Sequence, residues 1–349
     1  MPDNQKSEKE IEDEFEIFKA ITKDKLSKSR RIYTEQLVCW LLVMQYLSDN
    51  NTLQGAMKQL GTKHAKELQG ICKRTREGNI SSNTSGYSQG REDLSKESLV
   101  QVLRELFSQL NNENSLWHGR SVKCLDGTTL KLFPNKELKK AFPPNHNQHG
   151  TSTHPIMSVL VVHDLLTGLA YEPIWGAMYG VNAVSEQRMA REVFAKAETP
   201  EIYVGDRNFG VFSVAYNANL HGHDAVIRLT KVRAHKIYKI THSCDKKVTW
   251  SASAADIRNN SYIPKDASIT GRLIVKKIKT LDGKIDNLYL FTTLKEEISK
   301  EDILNLYAKR WNIETDLRYL KVSLKISELH SLSVPMVEKE LLADTATKR

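Results

Sequence analysis

The sequence predicts an α/β protein in which a sheet-based core follows a helical N-terminal part and is interrupted by a β-rich segment before its last helix. Three observations predict this. Residues 33–110 carry helical apolar spacing, beginning with YTEQLVCWLLVMQYL at 33–47. At Ser121 the texture changes to strand-like alternation, SVKCLDGTTLKLF. Residues 299–325, SKEDILNLYAKRWNIETDLRYLKVSLK, then return to a strongly patterned helix.

A chain of 349 residues is too long for one small core, so we divide it into five segments. These are a charged tail at 1–30, a helical domain at 31–117, a first part of the core at 118–229, a basic β-rich insertion at 230–295, and a second part of the core at 296–349. Hydrophobic residues make up 40% and charged residues 27%, a soluble globular balance. No apolar run approaches the ~20 residues that cross a bilayer, and the charged N-terminus lacks a signal-peptide core, so cytoplasmic is the default. Cys39, Cys72, Cys124 and Cys244 are scattered, without the close pairs that clip zinc or form a redox motif. The formal charge is +9, but residues 226–295 alone hold 15 Lys and Arg against 5 Asp and Glu. Such a concentrated basic surface suits a polyanion or serves as a solubilising face.

Taken in order, residues 1–30 alternate acids and bases and read as a frayed helix or tail. Residues 33–47, 53–60, 65–72 and 99–110 are helical, and the Ser, Asn and Gly residues of 78–90 form a loop. Lys63, Lys66, Lys73, Arg74 and Arg76 either touch phosphates or make a solvated helix face; no helix-turn-helix pattern accompanies them. The strand from Ser121 ends on Asp126-Gly127, where the aspartate either projects into a site or starts a turn. Residues 134–155 form a Pro, Asn and His loop; His146, His149 and His154 match no metal-ligand spacing. Residues 156–163 and 168–175 are strands flanking a turn at Asp164 to Gly168, and 185–196 is a helix. Three strands and then a helix is how a ribonuclease H-like sheet begins. The strand EIYVG at 201–205 delivers Asp206, which either serves a site or caps a following helix. After a strand near 225–229, residues 230–293 hold short β-rich runs with turns at Asp282-Gly283 and around Pro264.

In the helix at 299–325, Ser299 and Asp302 form a capping box. At about 100° per residue, Leu306, Ile313, Leu317, Leu320 and Leu324 fall in an arc roughly 60° wide that faces a core. Tyr307, Arg310, Glu314 and Lys321 share a second arc of roughly 60° beside it. A salt-bridged shoulder, with Arg310 and Glu314 as an i,i+4 pair, accounts for this arc as well as a working site does.

The spacing of Tyr307, Arg310, Glu314 and Lys321 resembles the Tyr-Arg-Glu-Lys signature of insertion-sequence transposases, in particular the insertion-sequence-four family of the DDE superfamily. Asp126-Gly127-Thr128 is similar to that family's first aspartate motif, and Asp206 with Phe209 is similar to its second. The resemblance implies a ribonuclease H-like catalytic core interrupted by a β-rich insertion domain and preceded by an α-helical N-terminal domain that binds terminal DNA. It implies Asp126, Asp206 and Glu314 as catalytic residues holding two Mg²⁺ ions, with Mn²⁺ as a substitute, for hydrolysis at element ends and strand transfer into target DNA. Arg310 and Lys321 would grip phosphates, Tyr307 would lie against the terminal nucleotide, and Lys276, Lys277 and Lys279 of the basic insertion would contact the backbone. The implied partners are double-stranded DNA, as terminal inverted repeats and target, and a second copy of the chain in a DNA-bound homodimer. Only 28 residues follow Lys321, including a break at Pro335 and the polar stretch ADTATKR. The alternative is therefore a truncated, non-catalytic DNA-binding derivative that inhibits transposition.

Overall fold

The computed structural model describes residues 15–20, 32–48, 51–110, 116–148, 150–240, 242–279, 283–310 and 329–347. Seven helices come first: α1 (Phe15–Ala20), α2 (Glu35–Leu47), α3 (Leu53–Lys58), α4 (Lys63–Leu68), α5 (Lys73–Arg76), α6 (Ser85–Asp93) and α7 (Lys96–Leu110). Thr34, Thr52 and Thr62 cap α2, α3 and α4 by accepting from the backbone N–H three residues on. Two expectations change here. Within the expected tail, Phe15 and Phe18 set their rings edge-on to Trp40, 5.2 and 5.1 Å between centroids, so six of its residues are a docked helix. The expected loop at 78–90 runs into α6, because Gly86 and Gly90 are contact points: a Cβ would come within 2.6 Å of the Tyr33 ring and 2.8 Å of Val38.

The described residues from 116 onward build one eight-stranded sheet flanked by helices, beside a small two-stranded hairpin. In chain order its elements are β1 (Val122–Lys131), α8 (Lys136–Ala141), the small hairpin β2 (His146–Asn147) and β3 (Gly150–Thr151), β4 (Ile156–Asp164), β5 (Ile174–Ala177), α9 (Glu186–Lys196), β6 (Ile202–Gly205), α10 (Phe212–Leu220), β7 (Asp224–Arg228), α11 (Lys231–Ile237), β8 (Cys244–Ser251), α12 (Ala254–Asn259), β9 (Ser268–Lys279), β10 (Ile285–Thr292), α13 (residues 300–310) and α14 (Val334–Ala346). The strand order is β5-β4-β1-β6-β7-β10-β9-β8. β5, β4 and β1 pair antiparallel, while β6 and β7 run parallel to β1. This mixed arrangement is consistent with a ribonuclease H-like core. The three strands of the basic segment extend the same sheet, since β10 pairs antiparallel with β7, then with β9, which pairs with β8.

Period-2 alternation sorts the sheet's side chains onto two faces. Leu125, Tyr203, Ile227 and Phe291 pack with Met189, Phe194, Phe212 and Ala215 of α9 and α10. Cys124, Val204, Val226 and Leu290 pack with Ile303, Leu304, Leu306 and Tyr307 of α13. Ser299 starts α13 as expected, its Oγ accepting from the Asp302 N–H at 3.0 Å.

Pro335 does not end the chain's order. It sits in the first turn of α14, where its missing N–H is no loss. Leu342, Ala343 and Ala346 of α14 complete the apolar cluster of the N-terminal helices, while Val337 and Leu341 pack under β1 and β4 with Leu130, Met157 and Val159. Residues 343–346 of the expected polar stretch thus belong to a buried helix, with hydroxyls turned onto its own carbonyls: Thr345 Oγ1 donates to Leu341 O at 2.7 Å.

Candidate active site

The site is a row across three parallel strands. Leu125 pairs with Gly205, and Gly205 with Ile227, so the next position on each strand is Asp126, Asp206 and Arg228. By alternation all three belong to the face that α13 covers, the face of Cys124, Val204 and Val226. Adjacent strands lie about 4.8 Å apart, so two carboxylates and a guanidinium start from neighbouring backbones.

Two expectations about the aspartates change in detail. Asp126 does not end its strand: β1 continues to Lys131, paired with β4 throughout, and Gly127 makes no turn. What ends at Asp126 is the parallel pairing with β6. Asp206 does not cap a helix. Its Oδ1 accepts from the Asn208 N–H at 2.8 Å in a turn, and α10 begins only at Phe212.

α13 lays Tyr307 and Arg310 over this row. Tyr307 is 1% and Arg310 5% exposed, so the polar arc at this end of the helix is core-facing. The guanidinium of Arg310 lies 5.5 Å from the Tyr307 ring centroid. Burial pushes the Tyr307 hydroxyl above its ordinary range; Arg310 and Arg228 pull it back, and Asp206 adds to the rise. Half-buried Arg228 is pushed down by burial, with Arg207 and Arg310 acting the same way and Tyr307 and Asp286 opposing them. Buried Arg310, half-buried Arg228 and exposed Arg207 thus bring positive charge to one phenol and Asp206, a setting that suits an anion.

Glu314 and Lys321 lie outside the described residues, as does His149. His146 and His154 have local partners, Thr151 Oγ1 at 2.7 Å and Leu132 O at 3.1 Å. Lys276, Lys277 and Lys279 are exposed near the end of β9. The last register pair between β7 and β10 is Arg228 with Leu290, so residues 285–289 and their β9 partners extend past the aspartate row on its own side. Five residues of strand reach roughly 17 Å. Lys66 and Arg76 line a separate cavity of about 600 Å³ among the N-terminal helices.

The two described aspartates offer only oxygen donors, the set a hard divalent ion takes. Among the described residues no three His, Cys, Asp or Glu are grouped to hold a metal. The donor chemistry fits such an ion, with the third expected carboxylate, Glu314, lying outside those residues. Sequence reasoning missed Arg228 and Glu186. The signal for Arg228 was its place at the end of a recognised strand, in step with the two aspartates; Glu186 directly follows the helix cap Ser185, and its carboxylate lies over Gly127.

A family model described as a transposase DDE domain matches residues 117–346. No curated protein matches the chain.

Proposed function

The chain belongs to the DDE-domain transposase family, and from that premise we propose that it is an insertion-sequence transposase of the insertion-sequence-four group, cutting and joining DNA at the element's ends. The observation that carries this is the row of Asp126, Asp206 and Arg228 across adjacent strands, covered by Tyr307 and Arg310. Family membership implies a divalent metal, and we propose Mg²⁺ held by Asp126, Asp206 and Glu314. When bound, it supplies charge stabilisation for the attacking and leaving oxygens of an in-line displacement.

The chain's own groups do the positioning. Arg310 and Arg228 clamp the phosphate whose bond is cut, the first of them through a planar fork, and Lys321 adds a point charge. Tyr307, desolvated and flanked by both guanidiniums, lies against the terminal nucleotide and is not a nucleophile. Water attacks phosphorus, the 3′-oxygen leaves, and that 3′-hydroxyl then attacks a target phosphodiester at the same site. No covalent protein–DNA bond is required. The β9–β10 ribbon, with Lys276, Lys277 and Lys279, holds flanking backbone, and a second copy of the chain serves the other end.

The test uses a plasmid bearing the DNA that flanks the chain's own coding sequence. Wild type nicks it with Mg²⁺, and Asp126→Asn lowers the rate by at least about a thousandfold while DNA binding persists. Equal nicking by the variant sinks the assignment. Binding without nicking by wild type favours the non-catalytic derivative.

A further inference from the structure

We propose that Glu186 is a positioning residue of this site, bracing the two aspartates from the opposite face of the sheet; the inference rests on the function proposed above. Ser185 caps α9, accepting from the Arg188 N–H at 3.3 Å, so Glu186 and Gln187 open the helix. α9 packs on the face of Leu125 and Tyr203, the reverse of the face covered by α13. There the carboxyl group of Glu186 occupies the space a side chain at position 127 would fill: a Cβ on Gly127 would stand 2.0 Å from its Cδ and Oε1. Gly127 has no left-handed backbone, so what glycine supplies after Asp126 is the space this carboxyl group occupies.

The same carboxylate accepts a hydrogen bond from Asn208 Nδ2. Gln187 Nε2 donates to Asn208 O and Oδ1 at 3.0 and 2.9 Å, clasping the residue from a second side. Asn208 in turn donates its backbone N–H to Asp206 Oδ1 at 2.8 Å. A continuous path therefore runs from the backbone beside Asp126, through Glu186 and Asn208, to one carboxylate oxygen of Asp206. The path continues past the strand pairing of β1 with β6, which stops at Gly205. Glu186 approaches from the side away from α13, and no three acidic or imidazole groups among the described residues make a metal-ligand set. Its role is to orient ligands, as outer partners of metal-binding carboxylates do.

The experiment titrates the full chain with Mn²⁺ alone, read as free Mn²⁺ by electron paramagnetic resonance, beside thermal melting by circular dichroism. Asp126→Asn reports whether the aspartate row holds the ion. Glu186→Ala is expected to weaken Mn²⁺ binding on the order of tenfold or more with the melting transition retained. Glu186→Gln, which keeps an oxygen for Asn208 but is a poor ligand, is expected to recover most of that loss. Should Glu186→Ala fail to fold, Gly127→Ala takes its place, since the added methyl evicts only the far end of a flexible side chain and should give the same weakening. Glu186→Ala or Gly127→Ala binding like wild type, while Asp126→Asn does not, overturns the inference alone. Glu186→Gln as weak as Glu186→Ala overturns positioning in favour of ligation. Asp126→Asn indistinguishable from wild type removes the metal site and this inference with it.

Discussion

At position 210 the addition of a single methyl group has no room to settle. A Cβ on Gly210 would stand 2.1 Å from the Arg228 carbonyl oxygen, and that backbone cannot rotate away as a side chain can. Gly210→Ala should therefore cost about 1–3 kcal/mol in denaturant unfolding, and should weaken DNA binding because the strain falls on the end of β7. His223 makes a pH prediction at the same scale. The Glu201 N–H donates to its Nδ1 at 3.2 Å and its Nε2 faces the Phe194 carbonyl at 3.0 Å, which fixes a neutral tautomer. Burial lowers its pKa below the usual 6.5, so the unfolded chain binds the proton more readily. Its contribution to stability is full above about pH 6.5 and is lost as pH falls through the lowered value. Unfolding curves between pH 7.5 and 5 should show this decline, and His223→Gln should flatten it. Asp126 and Asp206 stood out through the family resemblance, since taken alone the first read as a turn residue and the second as a helix cap. The roles of Asn208 and Gly127 were not legible, because both depend on Glu186, whose side chain meets these residues from a distant part of the sequence.

Elements differed in legibility for physical reasons that can be named. The helix α9 was readable from helical spacing over 185–196, and it begins one residue after Ser185. α6 was hidden because Gly86 and Gly90 look like loop residues when their purpose is close packing against Tyr33 and Val38. α14 was hidden because its buried face uses small and polar residues. Glu340, 1% exposed, accepts from the N–H groups of His330 and Ser331 at 2.9 Å each, and Lys339 Nζ donates to the carbonyls of Arg91 and Glu92 at 3.0 and 2.8 Å. No apolar pattern announces such pairings. Leu342 is nonetheless fully buried in the helical cluster, so Leu342→Ala should destabilise the protein by about 2–5 kcal/mol in chemical denaturation. The β9–β10 ribbon carries the prediction for DNA. Neutralising two exposed lysines, as Lys276→Gln with Lys277→Gln, should lower the slope of log affinity against log salt by about 2 on duplex DNA. An unchanged slope would remove the ribbon from the binding surface.

For the molecule as a whole, the sheet is the ruler that measures out the site. Asp126, Asp206 and Arg228 come from segments separated by 80 and 22 positions in the chain, yet strand register alone brings them to one level. Their shared face follows from alternation and could be read in advance once the strands were aligned. What the sequence could not supply was the alignment itself, which depends on long-range pairing of β1 with β6. Helical angles placed Tyr307 and Arg310 at the margin of an apolar stripe, and only the packing of α13 on the sheet shows that both are covered. The excess of positive charge in 226–295 has a structural counterpart in the outer half of the same sheet, where β8, β9 and β10 continue beyond the row.

The seating of α14 among the first helices has a consequence for how the molecule is made. The groove that Leu342, Ala343 and Ala346 fill is lined by α2 and α7, elements translated well before α14. Roughly 230 residues separate Leu110, the end of α7, from Leu342, and translation at 5–20 residues per second delivers them in about 12–46 s. Through that interval the nascent chain presents a greasy cleft with no tenant, open to whatever binds apolar surface until α14 arrives.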